Sequence, residues 1–183
     1  MACDMRLFIG LRLPVDVRKH VVVGIPGLPK GCRRVYDESL HITLRYVGSA
    51  DAELEARLVD SLKGSSLGRQ FDVQLGSGGV FQGAGRGAVV WCGVASGELA
   101  LLALAAEVDR RVLTVGCAPD RLPFKAHVTV ARSRLELGPT FVERVLQMPS
   151  SRVFEVAEVV LFGSKQGPHG PIYDVRSVFL LGV

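Results

Sequence analysis

The sequence lacks any uninterrupted apolar stretch long enough to cross a membrane. A spanning helix needs about 20 predominantly apolar residues, and the longest apolar run, around Leu99–Ala106, is much shorter. The N-terminal segment has no apolar core of the kind that signal peptides carry. We therefore expect no membrane span and a cytoplasmic location.

Cysteine is also scarce, with four widely separated residues: Cys3, Cys32, Cys92 and Cys117. No C-x-x-C pair or neighbouring histidine completes a zinc-binding set. The glycines from Gly76 to Gly87 are expected to make turns and not a phosphate-binding loop, because no G-K-[ST] follows them. The cysteines are therefore expected to be free thiols with a structural role.

Neither sign of charge is missing, because 22 Lys and Arg against 18 Asp and Glu leave a formal net charge of +4. Arginine strongly outnumbers lysine. Guanidinium groups bind phosphate in a bidentate manner, which suits a nucleic-acid partner. Coding bias in the genome would produce the same ratio, so charge alone leaves both explanations open.

The length of 183 residues favours one compact domain over residues 1–183. Alternating or continuous apolar patterns and helix-terminating residues predict the following elements. Strands are expected at Met5–Leu11, His41–Val47, Phe71–Leu75, Ala88–Val94, His127–Arg132, Phe154–Leu161 and Ile172–Leu181, helices at Val15–Val23, after Ser49, at Glu98–Val115 and at Pro139–Gln147, and a glycine-rich loop at Gly163–Pro171.

The two halves of the chain resemble each other. Four pairs of landmarks recur at offsets of 81 to 86 residues: Phe8 and Trp91, His41 and His127, Phe71 and Phe154, Phe81 and Phe162. A nearly constant offset predicts an internal duplication of approximately residues 5–81 and 88–162. Two copies of one unit commonly pack about a pseudo-two-fold axis, which would place the two histidine segments opposite each other.

Each of these histidines is followed two residues later by a threonine, in His41-x-Thr43 and His127-x-Thr129. The chain has only four His and four Thr, so a doubled pairing by chance has a probability on the order of 0.3%. Because side chains two apart share one face of a strand, each imidazole lies beside a hydroxyl and faces the same ligand.

A doubled His-Thr pair indicates a reaction with two proton transfers on opposite sides of one centre. Phosphodiester cleavage fits, because in-line attack needs a base on one side and an acid on the other. Histidine can take either role near neutral pH, and the threonines would donate hydrogen bonds to the phosphate. Two alternatives are weaker: unrelated structural histidines, and a metal site, for which further ligands are missing.

Four segments carry a resemblance to a known family: Met5–Ile9, Leu40–Gly48, Pro123–Arg132 and Leu161–Ser164. They resemble the two-histidine (2H) phosphoesterases, most closely the RNA 2′,3′-cyclic phosphodiesterases once described as 2′-5′ RNA ligases. The likeness covers nearly the whole chain. Lys125-Ala126, where the family often has Arg-Pro, and Gly163, where a polar residue is common, depart from it and bear on substrate preference.

The resemblance implies an α+β, bilobal fold: two pseudo-two-fold-related lobes of antiparallel sheet, with flanking helices, around a central cleft that holds both motifs. It implies no metal and no cofactor. It also implies that His41 is the proton donor to the departing 3′ oxygen and His127 the proton acceptor that activates water. The residues alone do not distinguish these two roles.

Other residues are candidates for substrate binding. Arg45 shares the face of His41 by strict alternation and could contact phosphate or be a solvated charge. Arg132 alternates to the face opposite His127 unless the strand ends or bulges there, yet the resemblance places a phosphate-side arginine at this position. Phe8 and Tyr46 could stack a base, with core packing the alternative.

Further basic residues lie beside the motifs, where they would form a basic rim or solvated loops: Arg33, Arg34, Arg121, Lys125 and Arg134. His20 is expected on a helix surface and His169 in an exposed loop. The expected function is metal-independent hydrolysis of a 2′,3′-cyclic phosphate on RNA ends or nucleotides, by a monomer with no obligate protein partner. ATP-independent 2′-5′ ligation and non-catalytic RNA-end binding are the alternatives.

Overall fold

The computed structural model describes residues 5–63, 66–83, 85, 87–120, 122–167 and 170–183. The elements follow one another along the chain as β1 (Met5–Arg12), α1 (Val15–Gly24), β2 (Cys32–Arg34), β3 (His41–Ala50), α2 (Ala52–Lys63), β4 (Phe71–Gln82), β5 (Ala88–Ser96), α3 (Glu98–Thr114), β6 (Val128–Ser133), α4 (Pro139–Leu146), β7 (Val153–Val156), β8 (Glu158–Gly167) and β9 (Gly170–Leu180).

The strands form one sheet in the order β7-β4-β5-β6-β3-β1-β8-β9, and each neighbouring pair is antiparallel. Strands β7 and β8 lie far apart in this order, although only Ala157 separates them in the chain. The sheet must therefore curl to bring these two strands together. The expected α+β fold, with two antiparallel lobes, is confirmed as two halves of one curled sheet.

The two halves meet between β3 and β6, where the ladder contains a single register pair, Ile42 with Val128. The short strand β2 also crosses to the second half and pairs with β6 from Cys32 to Arg34. Just beyond it, the Val35 amide donates to the Val130 carbonyl at 2.9 Å. The line where β3 and β6 meet is called the seam below.

The main hydrophobic core lies on one face of the sheet, beneath the helices. Leu7, Ile9 and Leu11 of β1 point into it, together with Leu101 and Val108 of α3. Phe8 points to the other face, where it packs with Val160, Phe162 and Tyr173. This alternation separates a core face from a face that is free to form a binding site.

Element order is similar in the two parts of the chain, with strand, helix, two strands, helix and strand in residues 5–82, and strand, helix, strand, helix and two strands in residues 88–167. This order supports the internal duplication and the single domain, both of which remain proposals. No helix in the described part of the chain is long and apolar enough to span a membrane. Within that part Cys32, Cys92 and Cys117 are free thiols, and Cys3 lies outside it.

Two glycine-rich segments differ from the predictions. The loop expected at Gly163–Pro171 is wrong, since β8 continues to Gly167 and β9 begins at Gly170. The turns expected from Gly76 onwards are also wrong in part, because β4 continues through Gly79 to Gln82. At Gly79 a side chain would collide with the Trp91 ring, so glycine here admits an aromatic residue onto the strand and does not mark a turn.

Candidate active site

The face of the sheet opposite the main core carries a cavity of about 210 Å³ at the seam. Both predicted His-Thr pairs line it, so the structure brings together His41, Thr43, His127 and Thr129 as the repeat predicts. Its full lining is Phe8, Arg33, Arg34, Val35, Tyr36, Ser39, His41, Thr43, Tyr46, His127, Thr129, Arg132, Ser164, Gly170, Pro171 and Tyr173.

The two imidazoles are oriented by the same backbone contact. Nδ1 of His41 lies 2.7 Å from the Ser39 carbonyl oxygen, and Nδ1 of His127 lies 2.7 Å from the Lys125 carbonyl oxygen. A carbonyl oxygen only accepts hydrogen bonds, so Nδ1 carries the proton in both rings. The neutral rings therefore share one tautomer, which leaves each Nε2 as the atom that gains or loses a proton.

One threonine contacts its histidine directly. Nε2 of His41 lies 3.0 Å from Oγ1 of Thr43. In the neutral ring this nitrogen is an acceptor, so the Thr43 hydroxyl donates to it. Thr129 takes the equivalent place after His127 and lines the same cavity.

Burial lowers the pKa of both imidazoles below their ordinary value. Desolvation is the largest cause for each ring, and the charge of Arg132 lowers both pKa values further. The charge of His127 also lowers the pKa of His41, and the Lys125 ammonium lowers that of His127. Hydrogen bonds to the backbone carbonyls act in the opposite direction. Both imidazoles are therefore neutral at pH 7.

Aromatic rings support each histidine. The centroid of Phe8 is 4.8 Å from the His41 ring, and Phe8 in turn stacks on Phe162 at 4.8 Å. Tyr173 meets the His41 ring edge-on at 5.2 Å. On the other side, His127 meets Phe81 edge-on at 5.2 Å and Trp91 at 6.3 Å.

A bulge in each motif strand decides which residues beyond the threonine reach the cavity. Strand β6 has one extra residue between Thr129 and Ala131, and β3 has one between Thr43 and Arg45. Each bulge reverses the alternation, so the cavity is lined by Arg132 and Tyr46, the fifth residue after each histidine. Simple alternation predicted that Arg132 faces away from His127 unless the strand bulges. The bulge is present, and Arg132 therefore lines the cavity.

The bulge in β3 turns Arg45 away from the cavity. The prediction that Arg45 shares the face of His41 is wrong, because the side chain is 4% exposed and is not part of the cavity wall. It pairs with Asp109 at 2.6 Å and with Asp120 at 2.7 Å, and it donates to the carbonyls of Tyr46 and Ala118. The guanidinium is therefore held away from the cavity by two ion pairs and two backbone carbonyls.

The two aromatic candidates also separate. Phe8 is 4% exposed, and its ring packs against Phe162, His41 and Tyr173 at centroid distances of 4.8 to 5.0 Å. This burial favours the core alternative for Phe8 over stacking on a substrate base. The core interpretation is wrong for Tyr46, which is 48% exposed at the cavity.

The other basic candidates take different positions. Arg33 and Arg34 line the cavity, and Arg34 also donates to the Val22 carbonyl at 3.1 Å. The Lys125 ammonium lies 4.4 Å from the centroid of Trp91 and 5.1 Å from that of Phe81. His20 lies on α1, within 3.4 Å of the Pro149 carbonyl. Arg121 and His169 lie outside the described residues.

Sequence reasoning missed part of the lining. Tyr173 contacts His41 from β9, and Tyr36 and Ser39 reach the cavity from the segment before the first motif. None of these three residues belongs to a recognisable sequence motif, and Tyr173 was predicted only as part of a strand. The one usable signal was proximity to His41 in the chain, which applies to Ser39. In the described ranges no group of three His, Cys, Asp or Glu residues is arranged to hold a metal ion.

Comparisons with known proteins agree with this geometry. A sequence profile described as the 2′-5′ RNA ligase superfamily matches residues 27–168. The chain is 33% identical over 181 residues to the RNA 2′,3′-cyclic phosphodiesterase of Archaeoglobus fulgidus, which covers 96% of this chain and 99% of that protein. It is 33% identical over 144 residues to the protein of the same name from Aeropyrum pernix, covering 77% and 81%.

Solved structures give the same fold. The crystal structure of E. coli LigT complexed with 3′-AMP superimposes with a TM-score of 0.81 at 23% identity, covering 97% of this chain and 98% of that one. A structure described as a phosphoesterase gives 0.81 at 24% identity, covering 98% and 99%. The curled sheet with its two halves is therefore shared across these proteins.

Proposed function

Because the chain belongs to the 2′-5′ RNA ligase superfamily, we propose that it hydrolyses the 2′,3′-cyclic phosphodiester at RNA 3′ ends, or on nucleotides, to a 2′-phosphomonoester. The observation that carries this proposal is the pair of imidazoles at one cavity with one shared tautomer. Each presents an Nε2 that can carry a proton, as required for a reaction with one acid and one base. The 2′,3′-cyclic phosphodiesterases among the relatives support the same chemistry.

In the proposed reaction the phosphate lies between the two imidazoles. Nε2 of neutral His127 accepts a proton from water, and the water oxygen forms a new bond to phosphorus. The bond from phosphorus to the 3′ oxygen breaks on the opposite side, and protonated His41 gives its Nε2 proton to that oxygen. The product keeps the phosphate on the 2′ oxygen, and the two histidines exchange protonation states.

Three other side chains bind the phosphate in this proposal. Thr43 and Thr129 donate hydrogen bonds to its non-bridging oxygens, and Arg132 neutralises its charge. Arg132 is suited to this role because its charge acts on both imidazoles and so lies near the space between them. When phosphate binds, the Thr43 hydroxyl leaves Nε2 of His41, which frees this nitrogen to carry the proton.

The proposed reaction needs a protonated His41 beside a neutral His127, and the negative charge of the substrate can supply this condition. Before substrate binds, both imidazoles are neutral at pH 7, since their pKa values are lowered. A phosphodiester anion beside them favours the imidazolium form, so binding promotes the proton on His41. Because kcat/KM reports ionisations of the free protein, we expect its bell-shaped profile to be centred below pH 6.5, the ordinary histidine pKa.

The test is the pH profile of hydrolysis of a 2′,3′-cyclic nucleotide and of a short cyclic-ended RNA, with EDTA present. The parent protein should give the bell with a 2′-phosphate product, and His41→Ala and His127→Ala should each lose about 10²- to 10⁴-fold. An intact substrate across pH 5 to 8, with folded parent protein, would exclude the proposal.

The remaining alternatives are outcomes of the same experiment. Joined product from RNA half-molecules without ATP would assign ligation to the site. Binding of cyclic-ended RNA that both alanine variants retain, with no turnover by the parent, would assign a non-catalytic role. Action as a monomer in the cytoplasm is part of the proposal.

A further inference from the structure

Arg45 makes the densest set of polar contacts near the site without lining the cavity. Its guanidinium, which is 4% exposed, pairs with Asp109 of α3 and with Asp120 in the loop after α3. It also donates to the carbonyls of Ala118 and Tyr46. One side chain therefore connects β3 with the end of α3 and the loop that leads to His127.

Two of these contacts, with Ala118 and Asp120, reach from β3 to the loop that leads to β6, on the side of the seam where the backbone makes few contacts. The ladder between β3 and β6 contains only the pair Ile42 and Val128. On one side of this pair, β2 joins the two halves by pairing with β6. Towards Tyr46 no further ladder pair joins β3 to β6 among the described residues, and Arg45 supplies the connection there.

The position of His127 depends on the loop that Arg45 binds. Asp120 precedes Lys125 by five residues, and the Lys125 carbonyl accepts the hydrogen bond from Nδ1 of His127. His41 begins β3, the strand that also carries Arg45. A change at Arg45 would therefore move one imidazole relative to the other, even though the guanidinium touches neither.

We propose that Arg45 is a positioning residue that fixes the spacing of the two imidazoles by joining the two halves across the seam. This inference rests on the proposed function for its catalytic consequence. The second half has no counterpart, because Ala131 occupies the position that follows its motif in the same way. The connection is therefore made once and from one side.

The chain offers a matched control in Arg111, a second arginine that is also 4% exposed. Arg111 pairs with Glu107 at 2.6 Å and donates to the carbonyls of Ser61 and Ser66. It joins α3 to α2 and the segment after it, away from the cavity lining. Losing either arginine removes a buried charge network, and only Arg45 bonds to the loop before His127.

The experiment compares Arg45→Met, Arg45→Lys and Arg111→Met with the parent protein. Thermal unfolding gives stability, hydrolysis of a 2′,3′-cyclic nucleotide gives kcat and KM, and proton NMR follows the titration of each imidazole. We expect lower melting temperatures in both methionine variants. Below those temperatures kcat should fall about 10- to 100-fold in Arg45→Met alone, because a displacement of about 1 Å costs that much.

The imidazole titrations test positioning apart from activity. Arg45→Met should shift the His41 titration, which the charge of His127 influences, and Arg111→Met should leave it unchanged. Arg45→Lys should recover part of kcat, since lysine keeps the charge and loses the planar set of donors. If Arg45→Met keeps kcat within about two-fold of Arg111→Met with unshifted titrations, Arg45 is only a stabilising residue.

Two further results would also test the role of Arg45. If Arg45→Met does not fold, Asp120→Asn weakens the same connection at a half-exposed carboxylate, and an unchanged kcat and titration in that variant would overturn the proposal. If the folded parent hydrolyses nothing, the proposed function fails. The titration shift then still decides whether Arg45 sets the spacing of the imidazoles.

Discussion

The surroundings of His41 and His127 agree in their backbone contacts and differ in their side-chain walls. Each Nδ1 donates to the carbonyl two residues earlier at the same distance of 2.7 Å. Each ring is backed by two aromatic residues from the neighbouring strands, Phe8 and Phe162 on one side and Trp91 and Phe81 on the other. Two landmark pairs of the repeat, Phe8 with Trp91 and Phe81 with Phe162, therefore surround the histidines.

The differences lie at the outer ends of these walls. Tyr173, a neutral ring, meets the edge of His41, whereas the Lys125 ammonium lies over the rings beside His127. Five residues after each histidine, Tyr46 stands on one side and Arg132 on the other. The shared contacts set one tautomer for both rings. The unshared residues make the His127 side more positive, which fits the proposed role of His127 as a base that stays neutral and faces an anion.

Removing either histidine should produce the largest effect and separate the acid from the base. His41→Ala and His127→Ala should each lower the rate of cyclic phosphate hydrolysis by about 10²- to 10⁴-fold. A substrate with sulfur in place of the bridging 3′ oxygen needs no proton on departure, since a thiol has a pKa of about 8.5. This substrate should restore turnover in His41→Ala alone.

The parent protein on both substrates is the control for that experiment. Rescue of His127→Ala by the sulfur substrate, with none for His41→Ala, would reverse the two roles. Equal rescue of both variants would show that the comparison of the two walls does not separate acid from base.

The sequence predicted the parts of this comparison that depend on local spacing. The two-residue period placed His41 beside Thr43, and the recurrence of landmarks placed both pairs at one cavity. Alternation failed after each threonine, because no residue type marks the bulges that turn Arg45 inward and Tyr46 outward. The aspartates that hold Arg45 come from α3 and the loop after it, so only tertiary structure reveals them.

The glycine-rich segments are another part of the fold that sequence patterns could not predict without knowledge of the neighbouring strands. Helices and most strands follow from hydrophobic period, since burial on one face dictates it. Glycines within β4 and β8 suggested turns, yet at Gly79 the glycine makes room for Trp91. A glycine that admits a neighbour's ring and a glycine that starts a turn are indistinguishable until the neighbouring strand is known.

Replacing the fifth residue after each histidine should have an intermediate effect on kcat/KM. Arg132→Met should lower kcat/KM about 10²-fold, because it removes a charged donor aimed at the developing phosphate charge. Tyr46→Met should cost about 5-fold, the low end of what one stacking ring contributes to binding a nucleotide. Added salt should weaken the Arg132 contribution and leave that of Tyr46 unchanged. Equal losses with equal salt dependence would contradict the assignment of charge to one side.

Removing the charge of Lys125 should have the smallest effect on rate and the most specific effect on titration. The ammonium lowers the pKa of His127, whereas the charges that lower the pKa of His41 are those of His127 and Arg132. Lys125→Met should therefore raise the pKa of His127, while the pKa of His41 should change only through the charge of His127, in the opposite direction, and the methionine keeps apolar contact with Trp91. When the pKa of His127 is higher, this base becomes protonated at a higher pH. The acidic limb of kcat/KM should therefore move to higher pH, and activity should fall at pH 5 but not at pH 8.

Lys125→Arg, which keeps the charge, is the matched control and should retain the parent profile. A shift of both imidazoles together, or of neither, would mean that Lys125 contributes nothing to the difference between the two sides.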